Sequence, residues 1–325
     1  MTHKLTPWAA ALVLAAAAFG VSSGQAGWTV VAWNNLGMHC MDADYAVFSI
    51  LPPYNVIHAQ VVDDQGRLVT NATGLTVTYE AIADPAGSIN TTSAGKTNFW
   101  DHVLALFGAA PPVDTGLAGA SMPGAGNTPR VMAFDATLGW WIADGIPITP
   151  YDDTGHKNPY PMMRVTVRNA AGELAHADVV LPVSDEMACL ACHGSNTHED
   201  ARPNGGWVND PDPERDYRLN ILRLHDERRA DTAALYQASL LAGGYDAAGL
   251  YATVVESGTP ILCARCHASN ALPGTGQAGV SRLTRVVHHR HNFLDASLER
   301  GSCYECHPGS ATRCLRGVMG AAVAA

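Results

Sequence analysis

Three copies of one five-residue pattern constrain this chain more than any other feature: Cys189-Leu190-Ala191-Cys192-His193, Cys263-Ala264-Arg265-Cys266-His267 and Cys303-Tyr304-Glu305-Cys306-His307. Two thiols three positions apart share one turn and can form thioethers with both vinyl groups of a single porphyrin. The histidine that follows can then aim its imidazole at the iron as proximal ligand. A CxxC alone would serve as half of a zinc site or as a thioredoxin-like redox pair, but neither chemistry requires a histidine directly after the second cysteine. With 8 cysteines and 14 histidines in the chain, chance would supply one such pattern in roughly a hundred chains of this kind. The sequence therefore predicts three covalently bound c-type haems with His193, His267 and His307 as proximal iron ligands.

The sixth ligand of each iron sets what such a chain can do. A second histidine gives a saturated, low-potential carrier, a methionine raises the potential, and an open position permits catalysis. The histidines left over are numerous enough to favour bis-histidine ligation. His225 lies beside an apolar helical face formed by Tyr217, Ile221 and Leu224, as a histidine aimed into a haem core would. His288 and His291 stand three apart on a predicted helix, so both can face one way, while His289 points elsewhere. His58 and His176 fall on the polar faces of predicted strands, and His102, His156 and His198 in loops; all five are expected at the surface.

The two halves of the chain differ in texture, and the predicted class is α+β. Residues 1–26 read as a secretory signal: His3 and Lys4, an apolar run from Trp8 to Phe19, and small residues leading to a cleavage site after Ala26. The run is too short to span a bilayer, which takes about 20 residues, so no integral membrane span is expected. Residues 27–183 read as an antiparallel, sandwich-like β domain. Leu75, Val77, Tyr79 and Ala81 alternate with polar residues, as do Met163, Val165 and Val167 before an Asn169–Gly172 turn. Trp28–Trp33 and Ile57–Val62 are further strand candidates, and the Gly/Pro-rich stretch from 84 to 160 reads as long ordered loops. Residues 184–325 read as a helical, loop-rich haem module. Its helices are expected over Arg215–Arg228, Asp231–Ala242, Asp246–Glu256 and from Ser281 onward. Gly274-Thr275-Gly276-Gln277-Ala278-Gly279 matches a dinucleotide fingerprint but follows a haem loop rather than a strand, and reads as a flexible turn. Asp42, Asp44, Asp152 and Asp153 match no calcium loop and read as solvated turns.

Charge narrows the partners. The chain carries −10, and loss of residues 1–26 removes one lysine and no acid, leaving 19 bases against 30 acids, a charge of −11. Without a long basic run, nucleic acid is excluded as a partner class, and a redox protein with a basic patch is the complement. Export implies a periplasmic or extracellular place, where c-type haem is attached. There the two cysteines outside the motifs, Cys40 and Cys314, are expected to form a disulfide. Cys314 lies seven residues beyond His307, so the bridge would bring His39 near the third haem as its distal ligand.

Several segments strengthen this reading. They are Asn34-Asn35-Leu36-Gly37-Met38-His39-Cys40-Met41-Asp42 with Leu51-Pro52-Pro53-Tyr54-Asn55, Gly145 to Asp153, Leu181 to Met187, Asn220-Ile221-Leu222-Arg223-Leu224-His225-Asp226, the second CxxCH with Ala268 to Pro273, and Ser302 to Pro308 with Cys314-Leu315-Arg316-Gly317. Through them the chain resembles a family of bacterial multihaem c-type cytochromes with a β-rich N-terminal and a haem-rich C-terminal domain. The resemblance implies haem binding and electron transfer between redox partner proteins. It also implies a further CxxCH beyond the Cys314 segment, where this sequence instead runs to Ala325. A fourth haem missing in this way would leave one of His288 and His291 without an iron. The rival to electron transfer is a multihaem oxidoreductase with one open iron that reduces a small oxidant. A third reading makes the β domain a docking module.

Overall fold

The computed structural model describes residues 27–295, except Leu36, Glu186, Ala188, Ala230 and Asp231, together with Cys306 and His307. The predicted signal segment, Cys303 and Cys314 lie outside the described residues, and with them the Cys40–Cys314 bridge.

The strands in chain order are β1 (Thr29–Asn34), β2 (His39–Cys40), β3 (Phe48–Ser49), β4 (Asn55–Val62) and β5 (Thr76–Ile82). After helix α1 (Phe99–Phe107) come β6 (Arg130–Val131), β7 (Ala133–Asp135), β8 (Trp140–Ile146), β9 (Met162–Asn169), β10 (Gly172–Val180) and β11 (Val183–Ser184). The helical part follows as α2 (Leu190–His193), α3 (Pro213–Glu227), α4 (Ala233–Ala242), α5 (Leu250–Ser257), the short strand β12 (Ile261–Leu262) and α6 (Leu283–Arg290). The chain is thus α+β, and no helix among the described residues is long and apolar enough to cross a membrane.

Two four-stranded antiparallel sheets, in orders β1-β4-β8-β7 and β10-β9-β5-β6, share one apolar core. The period of two explains it. Ile57, Ala59 and Val61 of β4 turn inward with Val77, Tyr79 and Ala81 of β5 and Met163, Val165 and Val167 of β9. Each of the larger side chains removed from water contributes about 1.5–3 kcal/mol, and each alanine about 0.8 kcal/mol. The hairpin between β9 and β10 turns at Asn169–Gly172 as predicted. The 84–160 stretch is less loop-like than its composition: it holds α1, β7 and β8, and Trp141 of β8 is buried in the core. His58 departs from expectation too. It is buried, stacked on Trp140 with ring centroids 5.1 Å apart and edge-on to Trp33. Two aromatic neighbours on the same sheet face remove it from water.

A seam joins the two halves. β2 pairs in parallel with β11, and β3 pairs in parallel with β12. The chain reaches Cys189 five residues after β11 and Cys263 directly after β12, so two of the three CxxCH motifs leave from strands docked on residues 39–49. Leu262 and Ala264, the latter inside the second motif, lie in the β core itself. Arg265 adds a polar tie: one guanidinium nitrogen donates to the carbonyls of Ala105 and Leu106 at the end of α1, another to Gly243.

The seam turns on Asp42, which is buried rather than solvated. Its Oδ2 accepts from the backbone N–H of Ile50 at 2.8 Å and Leu51 at 2.9 Å and from the Ser49 hydroxyl at 3.2 Å. Three donors on one oxygen close the loop between β2 and β3. Burial pushes the carboxyl up to about 6, against the pull of the Arg218 guanidinium and these hydrogen bonds. A folded-state value above the ordinary 3.8 means that the stabilising contribution is complete below pH 3.8 and is lost as pH rises through about 6. Replacing Asp42 by Asn should remove this dependence. The unfolding free energy of Asp42→Asn relative to wild type is expected to rise between pH 4 and pH 7 by up to about 3 kcal/mol, read from denaturant melts at several pH values. A constant difference would show that Asp42 does not titrate in that window.

Candidate functional site: three histidine pairs

The first two motifs adopt the same local fold. In each, the histidine N–H donates to the carbonyl of the first cysteine, from His193 to Cys189 and from His267 to Cys263, both at 2.9 Å. That closes one tight turn in each motif and keeps both cysteines and the histidine on it. Below the first turn lies α3, started by an Asp212 cap and Pro213. Its Asp216 accepts from the Ser195 N–H and hydroxyl, and its Asn220 donates to the carbonyl of His193 at 3.0 Å while accepting from Val208. Both are buried, and Asn220 is wholly so. Below the second turn lies the 274–279 loop, where Gly276 and Gln277 donate to the carbonyls of Ala264 and Cys266. This glycine-rich segment is a fitted floor for the motif, not a flexible turn. A Cβ on Gly276 would sit 2.5 Å from the Ala268 nitrogen, at φ +95°.

Each motif histidine faces a second histidine from elsewhere in the chain. His193 and His291 have ring centroids 6.1 Å apart, His267 and His225 6.3 Å, and His307 and His288 6.1 Å. The rings are near perpendicular in the first two pairs, at 79° and 82°, and close to parallel in the third, at 22°. With a metal–nitrogen bond of about 2 Å and the nitrogen about 1 Å from its own ring centre, two imidazoles trans across one iron have centroids about 6 Å apart. Directly hydrogen-bonded or stacked imidazoles would be closer. The spacing thus fits an iron between each pair. Among the described residues, no group of three or more His, Cys, Asp or Glu converges as a bare zinc ion would need.

The tautomers fit as well. The Nδ1 atoms of His267, His288 and His291 lie 2.7 Å from the carbonyls of Ser281, Thr284 and Val287. A carbonyl only accepts, so each Nδ1 carries a proton, which leaves Nε2 as the nitrogen that could meet a metal. Burial pushes His193 down to about 4 and His225 down to about 3, and it also lowers His267. These three imidazoles are therefore neutral at ordinary pH, the form that ligates.

The structure thus brings together His225, His288 and His291 with the three motif histidines. Neither His288 nor His291 is left without an opposite ring. His39 lies in the seam on β2, where its Nε2 donates to the Pro52 carbonyl at 2.8 Å and its ring packs on Tyr54. A ring that faces His307 is that of His288. The Cys40–Cys314 bridge that would link His39 to the third motif lies outside the described residues. His176 and His198 are exposed beside Glu173 and Asp200. Sequence reasoning missed Asp216, Asn220 and Gly276, polar or small residues that hold the motifs without touching their chemistry. Helix-start carboxylates and loop glycines are too common for composition to mark them. No family model, curated protein or solved structure matches the chain.

The floor under the second motif gives a direct test. Gly276→Ala combines a strained backbone with a backbone clash and should cost about 2–4 kcal/mol. Gly274→Ala, where φ is also positive but nothing lies within 4 Å, should cost only about 1 kcal/mol. Chemical unfolding of both variants separates them, and equal costs would contradict the fitted-floor geometry.

Proposed function

We propose that the protein is an exported multihaem c-type cytochrome that carries electrons between redox partner proteins. The observation that carries this reading is the coincidence of three CxxCH motifs with three histidine pairs at 6.1–6.3 Å. The attachment residues would be Cys189 and Cys192, Cys263 and Cys266, and Cys303 and Cys306. The axial residues would be His193 with His291, His267 with His225, and His307 with His288. Bound haem supplies reversible one-electron chemistry at iron. The chain's own contribution would be to hold a second imidazole opposite each motif histidine and to shield half-buried positions such as His225 from water.

A second imidazole opposite each motif histidine favours electron transfer over catalysis. A reductase would need one iron with a water or substrate in place of its second imidazole, and each motif histidine here already faces one. The acidic surface charge favours partners with basic docking patches. The helical part, with its core of Tyr217, Leu219, Leu222, Leu240 and Val254, serves as the haem module, and the β sheets serve as its scaffold.

Intact mass of protein from a host that attaches c-type haem should exceed the apoprotein by three haems, and the colour should survive denaturing electrophoresis. Colourless, zinc-loaded protein would overturn the reading. His225→Ala should turn one haem high spin and leave two low spin by visible spectroscopy. An unchanged spectrum would remove His225 from the axial set.

A further inference from the structure

The distal histidines come from two very different supports. His225 belongs to α3, which buries Asp216, Tyr217, Arg218, Leu219, Asn220, Leu222 and Leu224. Its neighbour Asp226 accepts from the N–H groups of Leu250 and Tyr251 and so pins α3 to the start of α5. This histidine can leave its partner only if the helical core opens.

His288 and His291 share the other support. His288 sits in the last turn of α6 and His291 is its C-terminal cap residue. Protein contacts bury only Leu283 of the eight residues of α6. The Leu283 N–H also donates to Ala268 at 3.1 Å. A helix this short is marginal in water by itself and depends on tertiary contacts. Val287, His288, His289 and Arg290 are exposed to solvent. Both imidazoles are clamped to their own helix through Nδ1, on Thr284 and Val287. Their orientation therefore follows α6 as a rigid body.

We propose that α6 is a shared distal strap: it supplies the sixth ligand to the first and third haems together, so those two irons lose it together and then take up a neutral diatomic ligand such as carbon monoxide, while the second iron stays closed. This rests on the haem reading above. The physical basis is two-point attachment. While one imidazole is bound, the other is held at high effective concentration beside its iron, and with both released Leu283 is the one fully buried anchor of the helix among the described residues.

Carbon monoxide binding to the dithionite-reduced holoprotein tests the strap. His291→Ala removes one of the two attachment points. It should bind carbon monoxide at two haems, the first directly and the third because its strap has lost half its docking. His225→Ala should bind at one haem only. Leu283→Ala, which keeps all six histidines, should bind at two haems in a single phase on the order of tenfold faster than wild type. Binding at a single haem in His291→Ala, or an unchanged rate in Leu283→Ala, overturns the strap while leaving the haem assignment intact. A chain whose mass shows no covalent haem overturns both.

Discussion

In the proposed cytochrome the helical half answers to one constraint: two imidazoles must be held about 6 Å apart at three places at once. Imidazole rings cannot hold that separation by themselves, because it is too long for contact or hydrogen bonding. It must be imposed from behind. The backbone does so by receiving the Nδ1 protons of His267, His288 and His291 on carbonyl oxygens. For His193 and His225 it is the surrounding elements that do so, the turn closed on Cys189 for the first and α3 for the second, and burial there also favours the neutral imidazole.

The β domain provides the rigidity that this spacing demands. Its shared core of Val, Ile, Met and aromatic side chains fixes two sheets, and residues 39–49 extend from them as a docking seam. Short parallel pairs then place β11 and β12 directly ahead of the first two motifs. α3 completes the arrangement from the other side. Asn220 grips the first motif by the carbonyl of His193, and His225 further along the helix reaches the second. A single helix thereby fixes the relation between two sites. In the proposed cytochrome, electrons would pass between sites whose separation is set by packed protein and not by flexible loops.

Much of this was legible in the sequence. The alternation in Leu75–Ala81 and Met163–Val167 marks strands because period two survives any tertiary context, and the CxxCH spacing singles out the histidines that the fold later pairs. His225 stood out because a histidine beside an apolar helical face is unusual. The partner of each motif histidine was not legible, because pairing is a long-range property: His193 meets His291 across nearly a hundred residues. The strand β8 was hidden by its glycine-rich surroundings, and His58 looked polar only because the two tryptophans that cover it come from separate strands.

The ring angles give the account its sharpest exposure to experiment. Near-perpendicular axial imidazoles leave the two upper iron π orbitals almost degenerate and make a low-spin ferric haem strongly anisotropic, whereas near-parallel rings split those orbitals and give a rhombic signal. Low-temperature electron paramagnetic resonance of the fully oxidised holoprotein should therefore show three low-spin haems per chain. Two, from the pairs at 79° and 82°, should be of the strongly anisotropic type, and one, from the pair at 22°, rhombic. A high-spin component of one haem or more, or three haems of a single type, would contradict the assignment of these six histidines.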